Sequence, residues 1–157
     1  MLRENLKVPN RMLTPIQNST TTISQPGSSR KYALMTAAHN EQTFIEKAIA
    51  SVLRQTLLPV LWVIVSDGST DKTDEIVERC TKPHEFIRFL KVTRAPGRSF
   101  GSKGAALLNA RELIKPASFD FVGNLDADVE LEPTYFADVI GQFERDPQLG
   151  IAAGFIY

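Results

Sequence analysis

Two aspartates flank one small residue at Asp126-Ala127-Asp128, directly after the apolar stretch Phe121-Val122-Gly123-Asn124-Leu125. Carboxylates at the end of a buried strand repel each other and lose hydration unless a cation or hydrogen-bond donors compensate. A hard divalent ion, Mg²⁺ or Mn²⁺, sharing oxygens with a diphosphate supplies that compensation. Ala127 keeps the loop thin enough for phosphates to approach. By itself the tripeptide is read equally well as a solvated, Asp-rich turn that caps a helix.

A second cluster, Asp67-Gly68-Ser69-Thr70-Asp71, follows another apolar run. An aspartate at a strand end can accept hydrogen bonds from a nucleobase, and Gly68 permits a tight backbone turn. A capped strand-to-helix turn uses the same residue types. Both readings can hold together, with Asp67 assigned to a ligand and residues 69–71 mainly to the turn and cap. Lys103-Gly104 opens a helical stretch and could bring a cation and N–H groups to a phosphate, although a solvated lysine is as good a local account. The basic loop Arg94-Ala95-Pro96-Gly97-Arg98 could touch the same phosphate or simply be exposed. His39 is read as packing at a strand end, with a ligand contact as the alternative. His84 has no evident partner, Trp62 is expected in the core, and Cys80, the single cysteine, is expected to be a packing thiol.

These residues need elements to position them. Residues 32–36 form a short apolar run, read as a strand. Phe44, Ile45, Ala48, Ile49, Val52 and Leu53 recur at helical spacing and predict a helix over about 41–55. Residues 60–65 are apolar throughout, as a central parallel strand should be. The turn after them offers N-cap residues for a helix running through Glu78. Residues 86–92 read as a third strand, made edge-like by Arg88 and Lys91. A third helix is expected over 101–115, with Leu107, Ala110 and Ile114 on one face. Residues 121–125 form the fourth strand. Pro133 is placed at the N1 position of a fourth helix with Phe136, Val139, Ile140 and Phe143 inward, and Asp146-Pro147 stops it. Residues 151–156 read as a fifth strand. Residues 1–30 lack apolar periodicity and are read as a disordered polar tail.

The alternation predicts an α/β fold, a mostly parallel Rossmann-like sheet with helices on both faces and right-handed crossovers. In such sheets ligands lie beyond the carboxyl ends of the strands. Ala38-His39-Asn40-Glu41, Asp67-Gly68-Ser69 and Asp126-Ala127-Asp128 all fall at those ends. That coincidence points to a site.

Four segments together resemble one family. Ala37-Ala38-His39-Asn40-Glu41, then Val65-Ser66-Asp67-Gly68-Ser69-Thr70-Asp71, then Ser102-Lys103-Gly104-Ala105-Ala106-Leu107-Leu108-Asn109, then Asn124-Leu125-Asp126-Ala127-Asp128 are similar in order and spacing to family 2 glycosyltransferases of the GT-A fold. The resemblance runs from about residue 32 to the last, so 31–157 is expected to be a donor-binding domain, incomplete at the C-terminus. It implies a nucleoside-diphosphate sugar donor, UDP- or GDP-linked, a divalent cation (Mn²⁺ or Mg²⁺), and a role in cell-envelope polysaccharide biosynthesis. By the same resemblance Asp67 contacts the nucleobase, Ala37, Ala38, His39, Asn40 and Glu41 line the nucleoside pocket with Gly68 and Ser69 beside it, and Lys103 lies near the nucleotide. Asp126, with Ala127, lies near the ribose and sugar, and Asp128, assisted by Asp126, binds the metal. The sequence departs from the pattern at Ala37 (often proline), His39 (commonly tyrosine) and Ser66 (often aspartate), which leaves the base open.

An inverting displacement also needs a general base opposite the leaving diphosphate. The family carries that base in an acceptor-binding half, so it is expected beyond Tyr157 and the acceptor is unknown. The alternative function is a catalytically inactive remnant, binding nucleotide or a protein partner through an open sheet edge. No GxGxxG follows the first strand, which argues against a dinucleotide-binding dehydrogenase.

Composition excludes other classes. The 157 residues carry 18 basic and 18 acidic side chains, so no global field recruits nucleic acid. A single cysteine allows no internal disulfide and fits a reducing compartment. No apolar run approaches the ~20 residues that span a bilayer. The expectation is a cytoplasmic chain, with membrane association arising in a full-length form.

Overall fold

The computed structural model describes residues 30–93, 102–114 and 119–154. Among them the chain runs β1 (Tyr32–Ala38), α1 (Ile45–Leu53), β2 (Leu61–Asp67), α2 (Thr73–Thr81), β3 (Ile87–Val92), α3 (Ser102–Ile114), β4 (Phe121–Asn124) and α4 (Tyr135–Arg145). The strands form one sheet, in the order β3-β2-β1-β4, with every pair parallel. The polar segment at residues 1–29 lies outside the described residues.

Alternation along the strands decides which side chain meets which layer. Tyr32 and Leu34 of β1 and Trp62 and Ile64 of β2 join Ile45 and Ile49 of α1, Val77 of α2 and Phe136 and Ile140 of α4. Ala33, Val63 and Val65 point the other way, onto Ala106, Ala110 and Ile114 of α3. Helices thus cover both faces, which strands this apolar require. Each large apolar side chain buried in these layers contributes about 1.5–3 kcal/mol over leaving it exposed. Trp62 is in the core as expected, and its indole N–H donates to Thr36 Oγ1 at 3.0 Å, so its one polar atom is satisfied.

β3 lies at an edge, as its charges predict, and Lys91 reaches back to Glu78 at 2.6 Å. β4 forms the other edge, because α3 carries the chain across the opposite face and returns it beside β1. The loops after β1 and β4 therefore depart on either side of a topological switch point, where such sheets open a crevice.

Four expectations need correction. α1 begins at Ile45 rather than near residue 41: residues 42–44 form a turn, Phe44 stands as the N-cap at φ −117°, and the N–H groups of Glu41 and Gln42 bond across to Thr73 Oγ1 (2.8 Å) and Asp71 Oδ2 (3.2 Å). α4 begins at Tyr135, with Pro133 in the preceding turn; its carbonyl accepts from the Thr56 N–H at 2.8 Å. On α3 the buried face is Ala106, Ala110 and Ile114, while Leu107 is only half-buried. The fifth strand is absent over 151–154, and 155–157 lie outside the described residues. The Gly154 N–H is bonded to the Tyr135 hydroxyl at 3.0 Å, which ties this stretch to α4 rather than to the edge of β4.

Candidate functional site

Three loops meet at the carboxyl ends of β1, β2 and β4. Ala37, Ala38, His39, Glu41, Asp67, Lys103, Asp126, Ala127 and Asp128 line one shallow cleft of about 230 Å³ between them. Residues separated by up to 91 positions in the chain are brought together by parallel register alone. The cleft holds most of the residues singled out above. Asn40, Gly68 and Ser69 do not line it. They build its wall.

That wall is a set of hydrogen bonds between the loops after β1 and β2. Asn40, in the left-handed region at φ 59°, accepts from the Thr70 N–H at 2.8 Å and from the Thr70 hydroxyl at 3.3 Å. Its own N–H donates to Ser69 Oγ at 3.2 Å, and the Ser66 hydroxyl donates to Ser69 Oγ at 2.9 Å. Gly68, at φ 64°, makes the turn that glycine adopts without strain. Gln42 Oε1 accepts from the Lys72 N–H at 3.2 Å. Asp71 Oδ1 accepts from the N–H and hydroxyl of Thr73 at 2.9 and 2.6 Å. Burial pushes the Asp71 carboxyl up, but the Thr73 side-chain and backbone bonds and the Gln42 backbone bond bring it below its ordinary value. Gln42, Asp71 and Thr73 escaped the sequence reading as parts of this wall. Their cap chemistry is visible locally, but pairing across some thirty residues is not.

Within the cleft, Asp67 ends β2 with only 8% of its surface exposed. The Asp67 carbonyl lies 2.7 Å from His39 Nδ1, so that nitrogen carries the proton and donates. Lys103, in the first turn of α3, reaches Asp126 Oδ1 at 2.7 Å; both side chains are about half exposed. Glu41 is held above its ordinary pKa by burial first and then by the charges of Asp128, Asp71 and Asp126, against a lowering by His39. The carboxylates therefore face a common space with an excess of negative charge. Added positive charge is what this space accepts. Among the described residues no three His, Cys, Asp or Glu side chains cluster as a self-sufficient metal site. One or two carboxylates completed by phosphate oxygens is instead the arrangement in which Mg²⁺ commonly binds.

A second cavity, of about 620 Å³, lies elsewhere, between β4, α4 and residues 149–153. Phe121, Phe136, Val139, Ile140 and Phe143 make its apolar lining, with Asp120, Asn124 and Tyr135 among its polar residues. The basic stretch at residues 94–98 lies outside the described residues. Among the described residues no helix is long and apolar enough to cross a membrane.

The chain is 31% identical over 122 residues to a poly-beta-1,6-N-acetyl-D-glucosamine synthase of Staphylococcus epidermidis, covering 78% of this chain and 27% of that protein. Its fold is similar to a mannosyltransferase of Pyrobaculum calidifontis in complex with GDP-Man and Mn²⁺, with a TM-score of 0.62, 24% identity and coverage of 80% and 35% of the two chains. It is similar also to S. aureus TarS 1-349 in complex with UDP, with a TM-score of 0.57, 22% identity and coverage of 73% and 32%. At these identities the two solved structures establish the GT-A fold. The chain spans roughly a quarter to a third of the length of the curated relatives it matches. The sequence model for glycosyl transferase family 2 matches residues 34–157, and on this match, with the fold and the ordered motifs, the chain belongs to that family.

Proposed function

We propose that this chain is the donor-binding part of a metal-assisted, inverting glycosyltransferase that takes a nucleoside-diphosphate sugar. The observation that carries the reading is the convergence of Asp67, Lys103, Asp126 and Asp128 on one cleft at the switch point of the sheet. In this reading Asp67 accepts from the base, while Ala37, Ala38 and His39 form the floor and side of the nucleoside pocket. Asn40, Gly68 and Ser69 act on the nucleotide through the wall they build. Lys103 meets the diphosphate, and Asp126 with Ala127 lies beside the ribose and sugar. Mn²⁺ or Mg²⁺ would be held by Asp128 with Asp126, where it would screen charge gathering on the leaving diphosphate. The binding of GDP-Man with Mn²⁺ by one fold neighbour and of UDP by another supports this assignment.

The cleft carboxylates thus serve donor and metal. The base that takes the proton of the acceptor hydroxyl would belong to the acceptor-binding half. The polysaccharide synthase among the relatives supports a role in building a cell-envelope polysaccharide from cytoplasmic donor, in a full-length form associated with the membrane. Calorimetry with UDP, GDP and Mn²⁺ tests the reading. Nucleotide binding that requires Mn²⁺ and is lost in Asp128→Ala is expected. No heat with either nucleotide, with or without the metal, would overturn it. Among the described residues the outer edge of β4 is unpaired and Val122 is half exposed, which favours as a second reading an interaction module without nucleotide affinity. Self-association at micromolar concentration together with silent calorimetry is the result that would select it.

A further inference from the structure

Lys103, on α3, and Asp126, in the loop after β4, both line the cleft. The rigid packing of α3 sets where Lys103 stands. Ala106, three residues on, and Ala110 are essentially fully buried against β1 and β2, so the first turn of α3 is fixed over the strand ends. From there Nζ reaches Asp126 Oδ1 at 2.7 Å. Among the described residues lining the cleft, Lys103 is the one basic side chain besides His39, against four carboxylates: Glu41, Asp67, Asp126 and Asp128. The ion pair is about half exposed on both sides, so its net stability is small and breaking it costs little. It nevertheless occupies an oxygen that a divalent cation would need, and leaves a positive charge within a few ångströms of where that cation would stand.

We propose that Lys103 is a built-in counter-cation, bonded to Asp126 while the site is free of donor and handed to the diphosphate when donor arrives. The proposal rests on the donor-binding reading above and adds an order of events to it. A cation arriving alone meets an occupied Asp126 and the repulsion of the Lys103 ammonium. A diphosphate offers Lys103 a stronger, doubly charged partner, which frees Asp126 and supplies further oxygens. Metal and nucleotide then favour each other by the same factor, since coupling between two bound species is reciprocal. The site thereby discriminates against free metal.

Electron paramagnetic resonance titration of Mn²⁺ against the 157-residue chain, with and without UDP or GDP, tests this without any transfer assay. Lys103→Met should bind Mn²⁺ alone about five- to tenfold more tightly than wild type, the scale expected for removing one nearby charge at a half-exposed site. Lys103→Arg should behave as wild type toward Mn²⁺. The ratio of Mn²⁺ affinities with and without nucleotide should fall toward one in Lys103→Met. In an Asp126→Asn background the gain from Lys103→Met should shrink to about twofold or less, the part owed to ammonium repulsion alone. Unchanged or weaker Mn²⁺ binding by Lys103→Met would overturn the proposal, as would a gain that persists in full in Asp126→Asn. If wild type binds neither nucleotide at any Mn²⁺ concentration, the donor reading and the hand-over fail together. A severalfold gain in Lys103→Met would still establish the Asp126 lock in that case.

Discussion

Asn40 Oδ1 accepts the backbone N–H of Thr70 at 2.8 Å while Asn40 itself stands at φ 59°. One side chain thus does two things: it tolerates a left-handed backbone and ties the loop after β1 to the loop after β2. Asparagine and aspartate can do both, glycine only the first and alanine neither. Asn40→Ala should therefore cost about 1–3 kcal/mol, Asn40→Gly about 1, and Asn40→Asp under about 0.5. Urea unfolding would measure the order. An Asn40→Ala protein as stable as wild type would mean that the two loops are held by other bonds.

Asp67 is the most buried carboxylate of the cleft, at the end of a strand that is itself buried. Asp67→Asn keeps shape and volume but replaces an acceptor oxygen by a donor. In the donor-binding reading it should weaken nucleotide affinity by about tenfold, the scale of one charge-assisted hydrogen bond, with little change in melting temperature. Calorimetry at fixed Mn²⁺ against thermal melting separates the two effects. Equal affinity in wild type and variant would remove Asp67 from the ligand.

Between β1 and β2, Trp62 Nε1 donates to Thr36 Oγ1 inside the core, where both residues are at most 1% exposed. Thr36→Val preserves the volume and strands the indole N–H, so it should destabilise by about 1–3 kcal/mol. Thr36→Ser keeps the acceptor and loses only a methyl group, with an expected cost of about 1 kcal/mol. Denaturant midpoints that put valine above serine would show that the bond contributes nothing net.

Glu41 predicts a pH dependence of definite sign. Its folded pKa is raised, by burial and by Asp128, Asp71 and Asp126, so the fold prefers its protonated form. Stability linked to Glu41 is complete below its unfolded pKa and is lost as pH rises through the raised folded value. Glu41→Gln should leave the melting temperature unchanged near about pH 4 and raise it by about 1–2 °C at pH 7 to 8, a small gain because the group is only partly buried. Melting curves at the two pH values read the difference directly. A variant that melts lower at neutral pH would show that the ionised carboxylate is favourably held.

Much of the architecture was legible from the chain itself. Apolar runs at residues 32–36 and 60–65 and helical periodicity at 44–53 depend on local alternation, which backbone geometry converts directly into strands and helices. The polar clusters after β1, β2 and β4 announced a site in the same way, because parallel strands bring their carboxyl ends to one side. Tertiary structure decided what sequence spacing does not encode. It divided the cluster residues between cleft and wall, turning Asn40 toward Ser69 and Thr70 through bonds between segments some thirty residues apart. It delayed α1 to Ile45, with residues 42–44 held as a turn beside the loop after β2, to which the Glu41 and Gln42 N–H groups are bonded. It tied Gly154 to Tyr135, where periodicity had read a strand. It also set Lys103 against Asp126, a pairing fixed by how closely the small residues of α3 let that helix approach the sheet. The identity of a side chain is local, but its partner depends on which surfaces pack, and packing is settled only when the whole core closes.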